Sequence, residues 1–264
     1  MTERPVAFRA SKRNGNGQQT SINFVGSGFY IPCGTLSGSR RNKGPERQWS
    51  KIDPGDVGPA VESETNNKVT TNYGGAGFLR KRILDGENFD VTFLPAGWGE
   101  IEDKIDGDPI AIANTEFGMA VLANAPMPDT SSSDTLKETL LSAKSIVYTD
   151  PKTGDISGVL FTRLIERLGI ADEVNKNSKL VDGSLNATFL LRGEADLAVQ
   201  LANEILAVPG VQFIHLPPQF RISVTFSGAV GTGATDSAAA KSLIHFLARP
   251  AVAPIIRSMG YEPG

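Results

Sequence analysis

Short apolar runs alternate along this chain with segments whose apolar residues recur at helical spacing, and turns of small residues separate the two. "SINFVGSG" (21–28) predicts a strand ending in a glycine turn, and "KVTTNYGGAG" (68–77) repeats the design. In "FLRKRILDG", Phe78, Leu79, Ile83 and Leu84 fall at helical spacing before Gly86 stops the helix, and "FDVTFLP" follows as a buried strand, completing a βαβ unit. "AIANTEFGMAVLANAP" then reads as strand material, "SDTLKETLLSA" as a capped helix and "KSIVYTD" as a strand. Residues 157–170 form a helix with Leu160, Leu164 and Leu168 on one stripe, and 186–200 give a helix, a glycine stop and a strand. The chain closes with a strand over 220–230 and two helices in 236–260, broken near Pro250. This alternation predicts an α/β fold with a parallel or mixed sheet.

Two segments stand outside the pattern. Residues 34–56 are rich in glycine and carry Arg40, Arg41, Lys43, Arg47 and Lys51, which predicts a long surface loop. Residues 1–20 are polar and basic and lack the apolar run of a secretory signal, so they read as a disordered leader and the chain as written reads as cytoplasmic. Nowhere does an apolar run approach the roughly 20 residues that span a bilayer.

Charge and composition remove several functions. A formal net charge of -3 argues against a nucleic-acid footprint. Cys33 is alone, and His215 and His245 lack companion ligands at metal-site spacing, so neither a disulfide nor a metal is expected. There is no G-x-x-x-x-G-K-[ST] loop, and "GSGFYIPCG" lacks the helix a dinucleotide fingerprint needs, so no cofactor is expected. Cys33 reads as a core residue, His215 as the end of a strand and His245 as a structural helix residue. Asp150 and Asp155 in "TDPKTGD" resemble an acid pair, but the composition is that of a turn.

The chemistry that remains sits at strand-to-helix turns. Ser27 and Gly28 follow the first strand, Gly75 and Ala76 open one helix, and Ser157 and Gly158 open another. Helix N-termini offer unpaired N–H groups and a positive dipole end, which suits an anion or carboxylate.

Longer phrases then become recognisable. "VTTNYGGAGFLRKRILDGENFDVTFLP", "SIVYTDPKTGDISGVLFTRLIERLGIADEV", "LLRGEADLAVQLANEILAVPGVQFI" and "LIHFLARPAVAPIIRSMGYEPG" resemble the molybdate-binding-protein-like branch of the type II periplasmic solute-binding proteins, over roughly residues 57 to 264. The resemblance implies a two-lobed α/β fold of mixed sheets flanked by helices, with a ligand trapped in the interlobe cleft as the lobes close. It places residues 21–112 and 223–264 in one lobe, with the 34–56 insertion, and 113–222 in the other. Ligand contacts are implied at Ser27 and Gly28, at Gly74, Gly75 and Ala76, at Ser157, at Gly183 and Ser184, and at Gln200 and Asn203.

The chain departs from the branch in two places. "GGA" stands where true molybdate binders carry hydroxyls, and "QLAN" where they carry a tyrosine. The amides of Gln200 and Asn203 offer donor and acceptor together, which suits a small polar organic molecule or organic acid better than a tetrahedral oxyanion. The expected protein is a monomeric, non-enzymatic binder of such a solute; by resemblance it is periplasmic or secreted and serves an ABC transporter permease. The alternative is an isomerase or other proton-transfer enzyme on the same scaffold, with Asp150, Asp155 and Glu204 as candidate acids and bases. A third reading is a protein-interaction module acting through residues 34–56.

Overall fold

The computed structural model describes residues 75–95, 98–182 and 185–264, together with the backbone of three strands before them. Those strands are β1 (Phe8–Arg9), β2 (Ile22–Gly26) and β3 (Val69–Tyr73). Helix α1 (Ala76–Leu84) and strand β4 (Val91–Pro95) follow. β5 (Ile105–Leu122) is 18 residues long. Next come α2 (Ser133–Ser142), β6 (Ile146–Thr149), α3 (Ile156–Arg167), α4 (Ala171–Lys176) and β7 (Ser178–Val181). The chain continues through α5 (Ala187–Leu191), β8 (Leu197–Leu201), α6 (Ala202–Leu206), β9 (Val211–Ile214) and β10 (Ser223–Gly231). It ends with α7 (Ser237–Leu247), α8 (Ala253–Ser258) and β11 (Glu262–Pro263).

The fold is mixed α/β, as the alternation predicts, and β5 organises it. Over Ile105–Glu116 it runs antiparallel to β10, which continues to β4 and then to β2 and β3. Over Phe117–Leu122 the same strand runs antiparallel to β8 and β9, and β8 continues through β6 to β7 in parallel. Helices cover these sheets, so the central strands are apolar throughout: Val91, Phe93 and Leu94 of β4 and Leu197, Ala198 and Val199 of β8 are buried. The largest core cluster joins the sheets, with Phe93, Phe117, Phe161, Phe226 and Tyr261 in one packed body. Each such ring removes enough apolar surface from water to contribute about 1.5–3 kcal/mol.

Local patterning accounts for most elements, and packing adjusts them. In α1 the core side is Ala76, Leu79 and Ile83, while Phe78 and Leu84 are half exposed. In α3 the buried face is Leu160, Phe161, Leu164 and Ile165, wider than the leucine stripe, and Leu168 is its C-cap. β5 starts earlier than its apolar run because a bulge opposite β10 absorbs Gly107, Asp108 and Pro109, where Gly107 takes a φ of 80° and the proline nitrogen has nothing to donate. Leu168–Ile170 turns α3 into α4 through Gly169 at φ 69°. The break in the terminal helix falls at Pro250–Val252, a 3₁₀ turn. His215 follows the last residue of β9, and His245 lies on the exposed face of α7.

Seating α3 on its sheet requires an absent side chain. A Cβ at Gly158 would lie 2.1 Å from the Thr149 carbonyl oxygen, on the backbone of β6. Gly158→Ala is therefore expected to destabilise the fold by about 1–3 kcal/mol or more, read as a lower urea midpoint with an unchanged m-value. An unchanged midpoint would contradict this packing.

Candidate functional site

Three strand ends meet in one place. β3 leads into α1, β6 leads through the 150–155 turn into α3, and β8 leads directly into α6. Ligands of open α/β folds gather at such carboxyl ends.

The 150–155 turn is built by its own polar residues. Asp150 Oδ1 accepts the Lys152 amide at 2.9 Å, and the Thr153 hydroxyl donates to the Asp150 carbonyl at 2.7 Å. Gly154, at φ 73°, closes the turn, and Asp155 caps α3. Asp155 Oδ1 accepts both the Ser157 amide, at 3.2 Å, and the Ser157 hydroxyl, at 3.0 Å. Ser157 is 1% exposed and its Oγ lies 3.4 Å from Thr149 Oγ1, so this hydroxyl is engaged inside the protein.

The network continues across the sheet. Asn186 Nδ2 donates to Thr149 Oγ1 at 3.2 Å and to the Val199 carbonyl at 2.9 Å, while its backbone N–H donates to Gln200 Oε1 at 2.7 Å. Asn186, Thr149 and Gln200 are all buried. Serine, threonine, asparagine and glutamine thus link β6, α3, α5 and β8 into one polar floor, in which the buried Asn186 Oδ1 alone among the Asn186 polar atoms has no hydrogen-bond partner among the described residues.

Opposite this floor lies the start of α1. Gly75 is its N-cap, with no side chain to satisfy the first-turn amides. A Cβ at Gly75 would sit 2.9 Å from Asp155 Oδ2, and one at Gly77 would sit 1.9 Å from the Thr153 carbonyl oxygen. The two glycines therefore allow α1 to press against the 150–155 turn. From α1, Arg80 donates to the Pro95 carbonyl at 3.1 Å; burial holds its pKa below the ordinary value, against the smaller opposing pull of Glu100 and Asp155.

The third wall is α6. Asn203 is 3% exposed, its backbone N–H donates to Thr115 Oγ1 at 3.3 Å, and Gly260, at φ 78°, packs on its Cα. Glu204 Oε2 accepts the Leu201 amide at 3.3 Å. Burial and the neighbouring Asp155 carboxylate push the Glu204 acid up to about 8, against the weaker opposing effect of the Leu201 hydrogen bond. Tyr261 is buried beside it, and burial together with Glu204 pushes its phenol upward. At neutral pH the Glu204 carboxyl is thus held in its protonated form.

Of the residues singled out by sequence, Gly75, Ala76, Ser157, Gln200 and Asn203 gather around Asp155 or the floor leading to it. Gln200 lies within β8 and Asn203 within α6. Ser27, Gly28, Gly74, Gly183, Ser184 and Cys33 fall outside the described residues, as does the 34–56 loop. Asp150 serves the turn, while Asp155 and Glu204 face one another electrostatically. Sequence reasoning missed Arg80, Thr115, Thr149, Asn186 and Tyr261; of these only Thr149 stands in the quoted "TDPKTGD" turn, and there nothing sets it apart from the turn's other polar residues. Among the described residues no cluster of His, Cys, Asp and Glu suits a metal, and no helix is long and apolar enough to cross a membrane.

The fold, a mixed α/β sheet system flanked by helices, is that of the type II periplasmic binding proteins. Residues 55–262 match the profile of the family described as bacterial extracellular solute-binding protein, and the chain belongs to that family. It is 30% identical over 222 residues to an aconitate isomerase from a Pseudomonas species, covering 79% of this chain and 82% of that one. To the molybdate-binding protein ModA of Azotobacter vinelandii it is 25% identical over 217 residues, covering 78% and 83% of the two chains. Among solved structures a periplasmic thiamin binding protein superposes with a TM-score of 0.67 at 16% identity, over 90% of this chain and 82% of that one.

The state of Glu204 has a measurable signature. Its folded-state pKa, about 8, lies above the ordinary value of 4.5. Between these values the unfolded chain releases the proton that the folded chain keeps, so stability is full at the acid end and falls as pH rises toward 8. Glu204→Gln keeps the acceptor for Leu201 and is expected to flatten that fall by up to ~1.4 kcal/mol per pH unit. Urea titrations from pH 5 to 8 read this directly; parallel slopes in both proteins would contradict the assignment.

Proposed function

We propose that this protein binds a small organic acid or similar polar organic solute between the N-terminus of α1, the Asp155–Ser157 turn and the Gln200–Glu204 segment. The observation that carries this reading is the convergence of three strand ends on one polar, largely desolvated place built from an uncapped helix start, buried side-chain amides and carboxyl groups. Such a place recognises a molecule by directed hydrogen bonds as well as by charge. The family supports solute binding as the general role. In this reading two lobes, 21–112 with 223–264 and 113–222, close on the solute, and an exported form passes it to a transporter permease.

A second reading is supported by Asp155 and Glu204. Two carboxyls in one poorly solvated space, with the Glu204 acid pushed up to about 8, supply what a proton transfer needs, one group to accept and one to donate. On an unsaturated acid, one group takes a proton from the carbon at one end of the allylic system. The double bond shifts, and the other group delivers a proton at the far end, leaving the protein's total unchanged. The aconitate isomerase relative is named for an isomerisation of that kind of acid.

One set of measurements separates these readings. Thermal-shift titrations with small di- and tricarboxylic acids, aconitate included, are expected to give a saturable shift, about 2.7 kcal/mol of stabilisation at a hundredfold excess over Kd. Gln200→Ala is expected to weaken it at least tenfold. Proton NMR in deuterium oxide then follows the same acid. An unchanged spectrum supports binding alone, whereas a moved double bond and deuterium uptake, both lost in Glu204→Gln, support the isomerase. A cooperatively melting protein that no acid shifts would contradict both.

A further inference from the structure

We infer that Asp155 sets the chemical selectivity of this site: its carboxylate already fills the anion position between α3 and α1, so the site refuses inorganic tetrahedral oxyanions and accepts solutes that put a hydroxyl or a C–H group at that point. The inference rests on the proposed binding site and deepens it.

Asp155 is 8% exposed, and its two oxygens have different roles. Oδ1 is committed to α3, where it accepts the Ser157 amide and hydroxyl at 3.2 and 3.0 Å. Oδ2 makes no hydrogen bond among the described residues and faces the start of α1, 2.9 Å from where a Gly75 Cβ would stand. Asp155 is thus more than nine-tenths buried as a residue; Arg80 attracts its carboxylate through space, and Oδ2, which accepts no hydrogen bond from the described residues, is aimed at a helix start that has no side-chain cap.

An oxyanion held by helix N-termini needs positive helix ends and N–H groups to itself. Here the end of α3 is already capped from within, and the first turn of α1 faces a carboxylate oxygen. The contact is fixed from both sides, because Gly77 rests on the Thr153 carbonyl and Ser157 holds Oδ1. A sulfate or molybdate ion entering this space brings negative oxygens against Oδ2 and has no hydrogen to offer it. An organic solute differs because its carboxylates lie several bonds apart. It can turn a hydroxyl, or a carbon carrying hydrogen, toward Oδ2 and place its charge elsewhere. Either function proposed above is compatible with that orientation.

The test titrates the full chain and two variants, Asp155→Asn and Asp155→Ser, with sulfate, molybdate and the carboxylic acid panel. Asn and Ser both cap helices well, so α3 is expected to survive in each. The wild-type protein is expected to ignore both oxyanions, and each variant to bind at least one of them no less than tenfold more tightly. Asp155→Ser, which also opens space, is expected to gain more than Asp155→Asn. Wild-type binding of sulfate or molybdate overturns the inference. So do cooperatively folded variants as blind to oxyanions as the wild type, and if the wild type still binds an organic acid, the proposed site stands without the selectivity argument. Variants that gain oxyanion binding while no organic acid binds the wild type support the role of Asp155 and count against the proposed solute alone.

Discussion

One strand serves two sheets. The backbone of β5 can pair with one neighbour on each edge, and its 18 residues divide that capacity between β10 and β11 at one end and β8 and β9 at the other. A single rod therefore sets the positions of both sheets, and the carboxyl ends of β3, β6 and β8 are brought near one another as a consequence. The apolar cluster around Phe117 and Phe226 locks this arrangement, while the polar floor from Thr149 to Gln200 forms where the strands run out and helices begin. Removing the shared strand would leave two half-covered sheets with no common site.

The same constraint explains the glycines at the site. Helix starts packed this closely on the neighbouring backbone leave no room for side chains: a Cβ on Gly77 would lie 1.9 Å from the Thr153 carbonyl oxygen, and one on Gly158 2.1 Å from that of Thr149. Their role is steric, since neither adopts a positive φ. Electrostatics follow from the same compression. Asp155 and Glu204 share a poorly solvated space, and the less costly arrangement keeps one of them protonated.

Much of this was legible in the sequence where a periodic pattern and burial agree. β4, α3 and α7 are readable because their apolar residues are the buried ones. β7 was not, because Ser178–Val181 lies at the margin of its sheet, with none of its four residues buried and no apolar run. The start of β5 was hidden by Gly107 and Pro109, whose bulge makes sense only opposite β10. At the site, the "TDPKTGD" turn and the small residues around Gly75 were visible as local chemistry. The partners were not: that Asn186 binds Thr149, that Gln200 binds Asn186, and that Tyr261 lies beside Glu204 depend on contacts between residues distant in sequence and brought together by packing. A turn aspartate and a site aspartate look alike in sequence, and only the three-dimensional neighbours of Asp155 distinguish it from Asp150.

The central claim is that a small organic solute is held where α1, the Asp155 turn and α6 meet. A crystal structure of the protein with the carboxylic acid that stabilises it most tests this directly. The account predicts that acid in contact with the first-turn amides of α1, with a hydroxyl or carbon facing Asp155 Oδ2. Density for the acid elsewhere, with this junction unchanged and closed, would contradict it.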